Sequence, residues 1–297
     1  MKDVKQQTLK LDGVECIYRG PKVGDVRKQD KIIEDLINEG VDGIAVSVIE
    51  STFLARSSFQ KAKKAGIPII TYDSDFDEEV LNQYGDLRLA YVGTNNFQFG
   101  WALGMQLKEL RPEGGRLLIQ TGRPDSPNLN LRIMGLRSAL SEETYMSAPG
   151  RILKNNLGWT EVREPIPNYD KIDRSVKQLE SVLRVQPTKV DAFVAVGGWP
   201  QNDDAMYRKM IKPFQEKLDN KEIVLVISDA STSQLKMLGD NLAHANIGQR
   251  PFKMGQQALL TLLKIVKNQA YEDKIFTPLI PCTPKNYDSC IDTIHNN

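Results

Sequence analysis

The order of its periodicities constrains this chain more than any single motif. Short β-rich runs alternate with helical stretches over almost the whole length, the pattern of parallel strands joined by helical crossovers. Residues 14–18, 43–48, 67–72 and 90–93 read as strands. Between the first two, residues 25–39 carry Val26, Ile32, Ile33, Leu36 and Ile37 near helical spacing, with Gly40 where a helix-ending glycine belongs. Residues 51–65 form a second expected helix, stopped by Gly66. A third covers 97–110, where Gly100, Ala102 and Gly104 permit close approach to a neighbour. A second series then begins. Strands are expected at 117–120, 152–156, 192–196, 223–227 and 244–248, and helices at 130–141, 170–183, 203–219 (broken near Pro213), 233–238 and 253–267. A last extended segment falls at 278–281. A chain of 297 residues has room for about two domains. The pattern divides into two doubly wound, Rossmann-like parallel-sheet units.

Composition narrows the function. With 39 Lys+Arg against 38 Asp+Glu, the chain lacks the basic excess of a general nucleic-acid binder or a polybasic membrane-surface protein. Its apolar runs fall far short of the roughly 20 residues of a membrane span. The two histidines, His244 and His295, exclude a His-rich metal site and leave little material for a Ser-His-Asp triad. No Walker lysine or dinucleotide fingerprint follows the early strands, and Gly197-Gly198-Trp199-Pro200 is not a phosphate loop. No metal or cofactor is expected. Of three cysteines, Cys282 and Cys290 lie eight apart. They suit a small disulfide loop in an oxidising compartment, or two thiols in the cytosol. Cys16, in the first expected strand, is read as a buried, inert thiol. The first ten residues are polar and show no signal-peptide apolar region.

Two α/β units create a crevice, and open α/β sheets bind ligands beyond the carboxyl ends of their strands. Residues just after strands are therefore the informative ones. Asp73 and Asp229 follow strands and are acceptors able to take two hydroxyl hydrogen bonds each; the alternative is a capping or turn role. Arg132, early in a helix, offers a planar donor fork, whereas Arg137 reads as solvated. Tyr169 and Trp199 lie at element boundaries, where their rings suit the C–H faces of a pyranose or ordinary core burial. Gln249 supplies a donor and an acceptor on one side chain.

Several stretches carry a resemblance: Gln29 to Ile37, Val41-Asp42-Gly43-Ile44-Ala45-Val46-Ser47, Ala65-Gly66-Ile67-Pro68-Ile69-Ile70-Thr71-Tyr72-Asp73-Ser74, Tyr91-Val92-Gly93-Thr94-Asn95-Asn96, and Asn246 to Gly255. In this order and spacing, the chain resembles the type I periplasmic sugar-binding proteins, the ribose-binding-like solute receptors of ABC transporters, from about Leu11 to Ile291. The resemblance implies two lobes, residues 1–94 with 250–277 and residues 95–249 with 278–297, joined by a three-segment hinge near Thr94-Asn95, Gln249-Arg250 and Pro278. It places sugar contacts on Asp73, Arg132 (with Gly135 as the motif glycine), Tyr169, Asp229 and Gln249. Where ribose binders have an asparagine, this chain has Gly198 and Trp199, which implies another ligand or a sugar stacked on the indole. The family's opening strand and its ligand-contact loop have no counterpart. The sequence is therefore expected to start at an internal methionine, or to be a truncated product, and to leave two strand edges open.

The leading expectation is a periplasmic, monomeric, non-enzymatic receptor. It closes on a small sugar or polyol and passes it to the membrane permease of an ABC transporter. Two alternatives use the same fold: a sugar or autoinducer sensor, and the effector domain of a sugar-responsive repressor. A glycosidase built on the two aspartates is a third, disfavoured because arginine and amide neighbours keep carboxylates ionised.

Overall fold

The computed structural model describes residues 13–22, 24–185 and 189–295. Its chain falls into two compact units, Met1–Thr94 with Arg250–Thr277 and Asn95–Gln249 with Pro278–Asn297.

The first unit holds a four-stranded, all-parallel sheet in the order β1 (Ile44–Val46), β2 (Ile69–Tyr72), β3 (Tyr91–Gly93), β11 (Lys274–Phe276). Strand side chains alternate between two apolar layers, as a period of two requires. Ile44, Val46 and Ile69 pack with Ile33 of α1 (Val26–Glu39) and with Leu54 and Phe59 of α2 (Ser51–Arg56) and α3 (Ser58–Ala65). On the opposite face, Ile70 and Val92 pack with Ala258 of α11 (Pro251–Val266). The expected helix terminators hold: Gly40 and Gly66 end α1 and α3 in left-handed conformations, φ 74° and 72°.

Three expectations in this unit are corrected. Residues 14–18 form no strand; they run as irregular chain. Cys16 is accordingly exposed and free rather than buried. The helix expected over 51–65 breaks at Ser57, whose φ of −117° and ψ of −105° are not helical. A helix, α4 (Glu78–Tyr84), also stands where no helix was expected, capped by the Asp77 side chain on the Val80 N–H.

The second unit is built on an eight-stranded sheet. Its parallel core runs β10 (Ala245–Gly248), β9 (Val224–Ser228), β8 (Ala192–Ala195), β4 (Gly115–Thr121), β6 (Trp159–Glu161). β12 (Ile280–Cys282) and β5 (Lys154–Asn156) add antiparallel edges, and β7 (Ile166–Pro167) pairs with the end of β4. The central strands are apolar throughout because both faces are covered. Phe193, Leu225 and Ile227 face one layer, and Val194, Val224 and Val226 the other. The second layer belongs to α5 (Asn96–Leu110) and α6 (Pro127–Ser141). The glycines set how closely these two helices cross. A Cβ on Gly100 would lie 1.8 Å from the Arg132 carbonyl, and one on Gly135 only 2.0 Å from that of Phe97.

The chain around 152–161 folds as a β5–β6 hairpin, where a single strand was expected at 152–156. Arg137 is the other correction here. It is buried, not solvated, and its Nε and Nη2 each donate at 2.7 Å to the buried Glu161 carboxylate. Its Nη1 donates to the Gly150 carbonyl at 2.9 Å. An arginine five residues from Arg132 on a helix looks surface-facing only until the hairpin supplies its partner. At the chain's end, a disulfide joins Cys282 to Cys290 and fastens α12 (Tyr287–His295) beside β12.

Candidate functional site

Five of the six candidate residues converge at the carboxyl ends of the second unit's parallel strands. Asp229 directly follows β9 with φ 70°, a left-handed conformation that costs a non-glycine residue about 1–2 kcal/mol. The turn presents its half-buried carboxylate to two neighbours. Gln249, directly after β10, donates from Nε2 to Asp229 Oδ1 at 2.9 Å. The Gly198 N–H donates to Oδ2 at 3.0 Å. The Asn246 amide holds the turn from behind through the Asp229 carbonyl at 2.9 Å. A Cβ at Gly198 would lie 2.6 Å from Oδ2, so a larger residue there would push the carboxylate from its place.

Arg132 reaches the same end of the sheet from α6. It is buried; its Nε donates to Asn96 Oδ1 and its Nη1 to the Val196 carbonyl, each at 2.8 Å. Its guanidinium lies 4.2 Å from the Phe99 ring centroid, a cation–π contact that helps hold the intrinsically planar fork in place. The glycine-tight crossing of α5 and α6 is what brings Asn96, Phe99 and Arg132 together.

Trp199 opens a 3-10 turn after β8 and is half-buried. Its ring fills the space a Cβ would take at Gly122 and Gly197, 2.7 Å and 2.4 Å away. Tyr169 is anchored to the same place by its N–H on the Gly122 carbonyl at 3.2 Å. Its exposed ring carries Arg174 at 4.9 Å on one face. Tyr169 and Asp170 are both left-handed, φ 54° and 60°, so the loop before α7 (Ile172–Leu183) is a strained turn.

Asp170 is the residue that sequence reasoning missed. Its carboxylate oxygen lies where a Gly122 Cβ would be, 2.6 Å off, and accepts a bond from the Trp199 indole. Desolvation against these neighbours raises its pKa above the usual aspartate value, opposed by Arg123 and by the indole N–H. In sequence it reads as the start of a helix, and only its left-handed backbone sets it apart. Thr121 Oγ1 and Asn168 Nδ2, flanking Gly122, are buried without a hydrogen-bond partner in the protein.

Asp73 belongs to the first unit. It follows β2 as Asp229 follows β9, again left-handed, with φ 58°. Ser47 donates to its Oδ2 at 3.4 Å. Two units thus present the same device: a parallel strand, then an aspartate in a left-handed turn. Each aspartate can accept hydrogen bonds from hydroxyls, and in the second unit Arg132 and Gln249 add donors beside the exposed Tyr169 ring. Among the described residues, no group of His, Cys, Asp and Glu side chains is placed to hold a metal ion.

The comparisons with known proteins decide the family. A periplasmic binding protein domain model matches residues 1–270. This chain belongs to the periplasmic binding protein domain family. The xylose/arabinose-binding protein XylF of Sulfolobus acidocaldarius is 30% identical over 132 residues, 43% of this chain and 33% of that protein. The D-ribose/D-allose-binding protein of Pseudomonas aeruginosa is 28% identical over 130 residues, 43% of this chain and 40% of that protein. The matched segments therefore span well under half the length of these two relatives. A solved ABC transporter solute-binding protein from Burkholderia graminis, in complex with D-arabinose, superposes with a TM-score of 0.76 at 28% identity, covering 91% of this chain and 85% of that one. An ABC transporter solute binding protein from Agrobacterium vitis with bound D-fucose, at 17% identity, shares the fold with a TM-score of 0.80 over 99% and 94% of the two chains. The fold is that of the type I periplasmic binding proteins. No described helix is long and apolar enough to cross a membrane.

Proposed function

We propose that this protein is an extracytoplasmic receptor that captures a small sugar or polyol and delivers it to the membrane permease of an ABC transporter. It works as a monomer and performs no chemistry on its ligand. The observation that carries this reading is the pair of left-handed aspartates, Asp73 and Asp229, one at a strand end of each unit. A carboxylate is the strongest acceptor a protein can offer to adjacent hydroxyls, and charge-assisted bonds are about twice as strong as neutral ones. Arg132 and Gln249 supply donors for the hydroxyl oxygens. Trp199 and Tyr169 supply ring faces for the C–H side of a sugar.

On this reading, the Gln249 bond to Asp229 keeps the carboxylate oriented until a hydroxyl donor joins it. The relatives' names and bound ligands support a pentose or hexose.

A thermal-shift screen against aldopentoses, hexoses and polyols tests the proposal. A ligand that binds only the folded protein raises Tm by mass action. One sugar is expected to raise Tm by several degrees, and Asp229→Ala to abolish that rise while folding normally. A panel without any shift, or an undiminished shift in the variant, would count against it.

A further inference from the structure

In the first unit, Asp73 hangs on a turn that a tyrosine hydroxyl grips. The Ser74 N–H bonds back to the Tyr72 carbonyl at 2.7 Å around a φ of 58° at Asp73, the i to i+2 closure of a strained γ-type turn. Two backbone bonds flank the turn: the Asp73 N–H to the Val92 carbonyl and the Val48 N–H to the Ser74 carbonyl, each at 3.0 Å. The Asp73 carbonyl, which must rotate when φ is positive, receives the Tyr91 hydroxyl at 3.0 Å. That hydroxyl also lies 3.1 Å from the Thr94 carbonyl, so one proton bridges the two. Thr94 is the last residue before the chain passes into the second unit.

The placement of the phenol is built in. Tyr91 is buried on β3, and the Phe276 ring meets it edge-on at a centroid distance of 6.2 Å. Gly93, two residues on, clears the space: a Cβ there would sit 2.2 Å from the hydroxyl oxygen. A buried hydroxyl aimed by an aromatic neighbour and a glycine at a strained carbonyl has little freedom to do anything else.

We infer that Tyr91 is a positioning residue: its hydroxyl holds Asp73 in the left-handed conformation that presents the carboxylate, and ties that turn to Thr94. This inference rests on Asp73 being a ligand group. Tyr91→Phe removes one oxygen and keeps the ring packing, so a purely structural role predicts unchanged geometry at Asp73.

The test has two arms on the full chain. In the first, NMR couplings and amide shifts report φ at Asp73 in wild type and Tyr91→Phe; the variant is expected to leave the left-handed region for much of the time. In the second, calorimetric titration with D-arabinose is expected to show about tenfold weaker binding in Tyr91→Phe. In an Asp73→Ala background, the same change should cost nothing further. If Tyr91→Phe fails to fold, Gly93→Ala displaces the hydroxyl with the phenol retained and should give the same two results. An Asp73 that stays left-handed with unaltered affinity would overturn the inference. Wild-type protein that ignores D-arabinose while φ shifts in the variant would instead count against pentose binding and leave the positioning role supported.

Discussion

His244 is fixed as a neutral tautomer by its own neighbours. Its Nδ1 accepts the Leu225 N–H at 3.0 Å, so its Nε2 carries the proton and donates to the Leu218 carbonyl at 3.1 Å. Burial lowers its pKa below the ordinary 6.5, assisted by Lys221 and opposed by the Leu218 bond and Asp219. The folded pKa lies below the unfolded one, so the unfolded chain binds the extra proton first as pH drops. The stability His244 contributes is complete above about pH 6.5 and is lost as pH falls toward the folded pKa. Urea midpoints between pH 7.5 and 5 are expected to fall in wild type, with a slope of at most about 1.4 kcal/mol per pH unit from this group. A His244→Asn variant, whose amide oxygen can stand in for Nδ1, should show a flatter profile; identical slopes would remove His244 from the account. Residues differ in how far the sequence discloses such roles. Asp73 and Asp229 are legible because acceptors just after strands stand out. Arg137 is not, because its partner Glu161 comes from a hairpin 24 residues away. Cys16 is not, because its β-rich run stays irregular and exposed. Asp170 is hidden by a backbone angle that composition does not carry.

At the scale of elements, the α5–α6 crossing governs Arg132. Small residues in 97–110 already announce a close neighbour, and the identity of that neighbour, α6, comes from the sheet order. Gly135→Ala raises intrinsic helix propensity by about 1 kcal/mol. Its Cβ, however, would lie 2.0 Å from the Phe97 carbonyl and 2.8 Å from the Trp101 nitrogen, backbone atoms that cannot yield alone. Overpacking of about 1–3 kcal/mol should prevail and lower Tm by several degrees. Thermal denaturation followed by circular dichroism reads this directly, and an unchanged or raised Tm would mean that the helices part freely. Helices were the more legible elements, since Gly40 and Gly66 mark their ends. The short strands 159–161 and 274–276 are not, because three residues hold too little periodicity to register. In the first sheet, the outer edge of β1 faces a groove lined by Tyr18, Pro21, Ile33, Val46 and Tyr72.

At the scale of the whole molecule, the chain passes between its two units three times, at Thr94, Gln249 and Thr277. Each unit carries one aspartate on a left-handed turn at a strand end. The second unit adds Arg132, Trp199, Tyr169 and Gln249, so the donors and ring faces are concentrated there. The alternation of strands and helices made both units legible from sequence, and the family match over residues 1–270 agrees with that architecture. The identity of the sugar is not legible, because it depends on where each hydroxyl meets these side chains. The central claim is that the aspartates following β2 and β9 are the acceptors that hold the ligand. Calorimetric titration of D-arabinose into wild type, Asp73→Asn and Asp229→Asn tests it most directly. The account predicts single-site binding in wild type and at least about tenfold weaker binding in each variant, through loss of a charge-assisted acceptor. Wild-type affinity retained in either variant would contradict it.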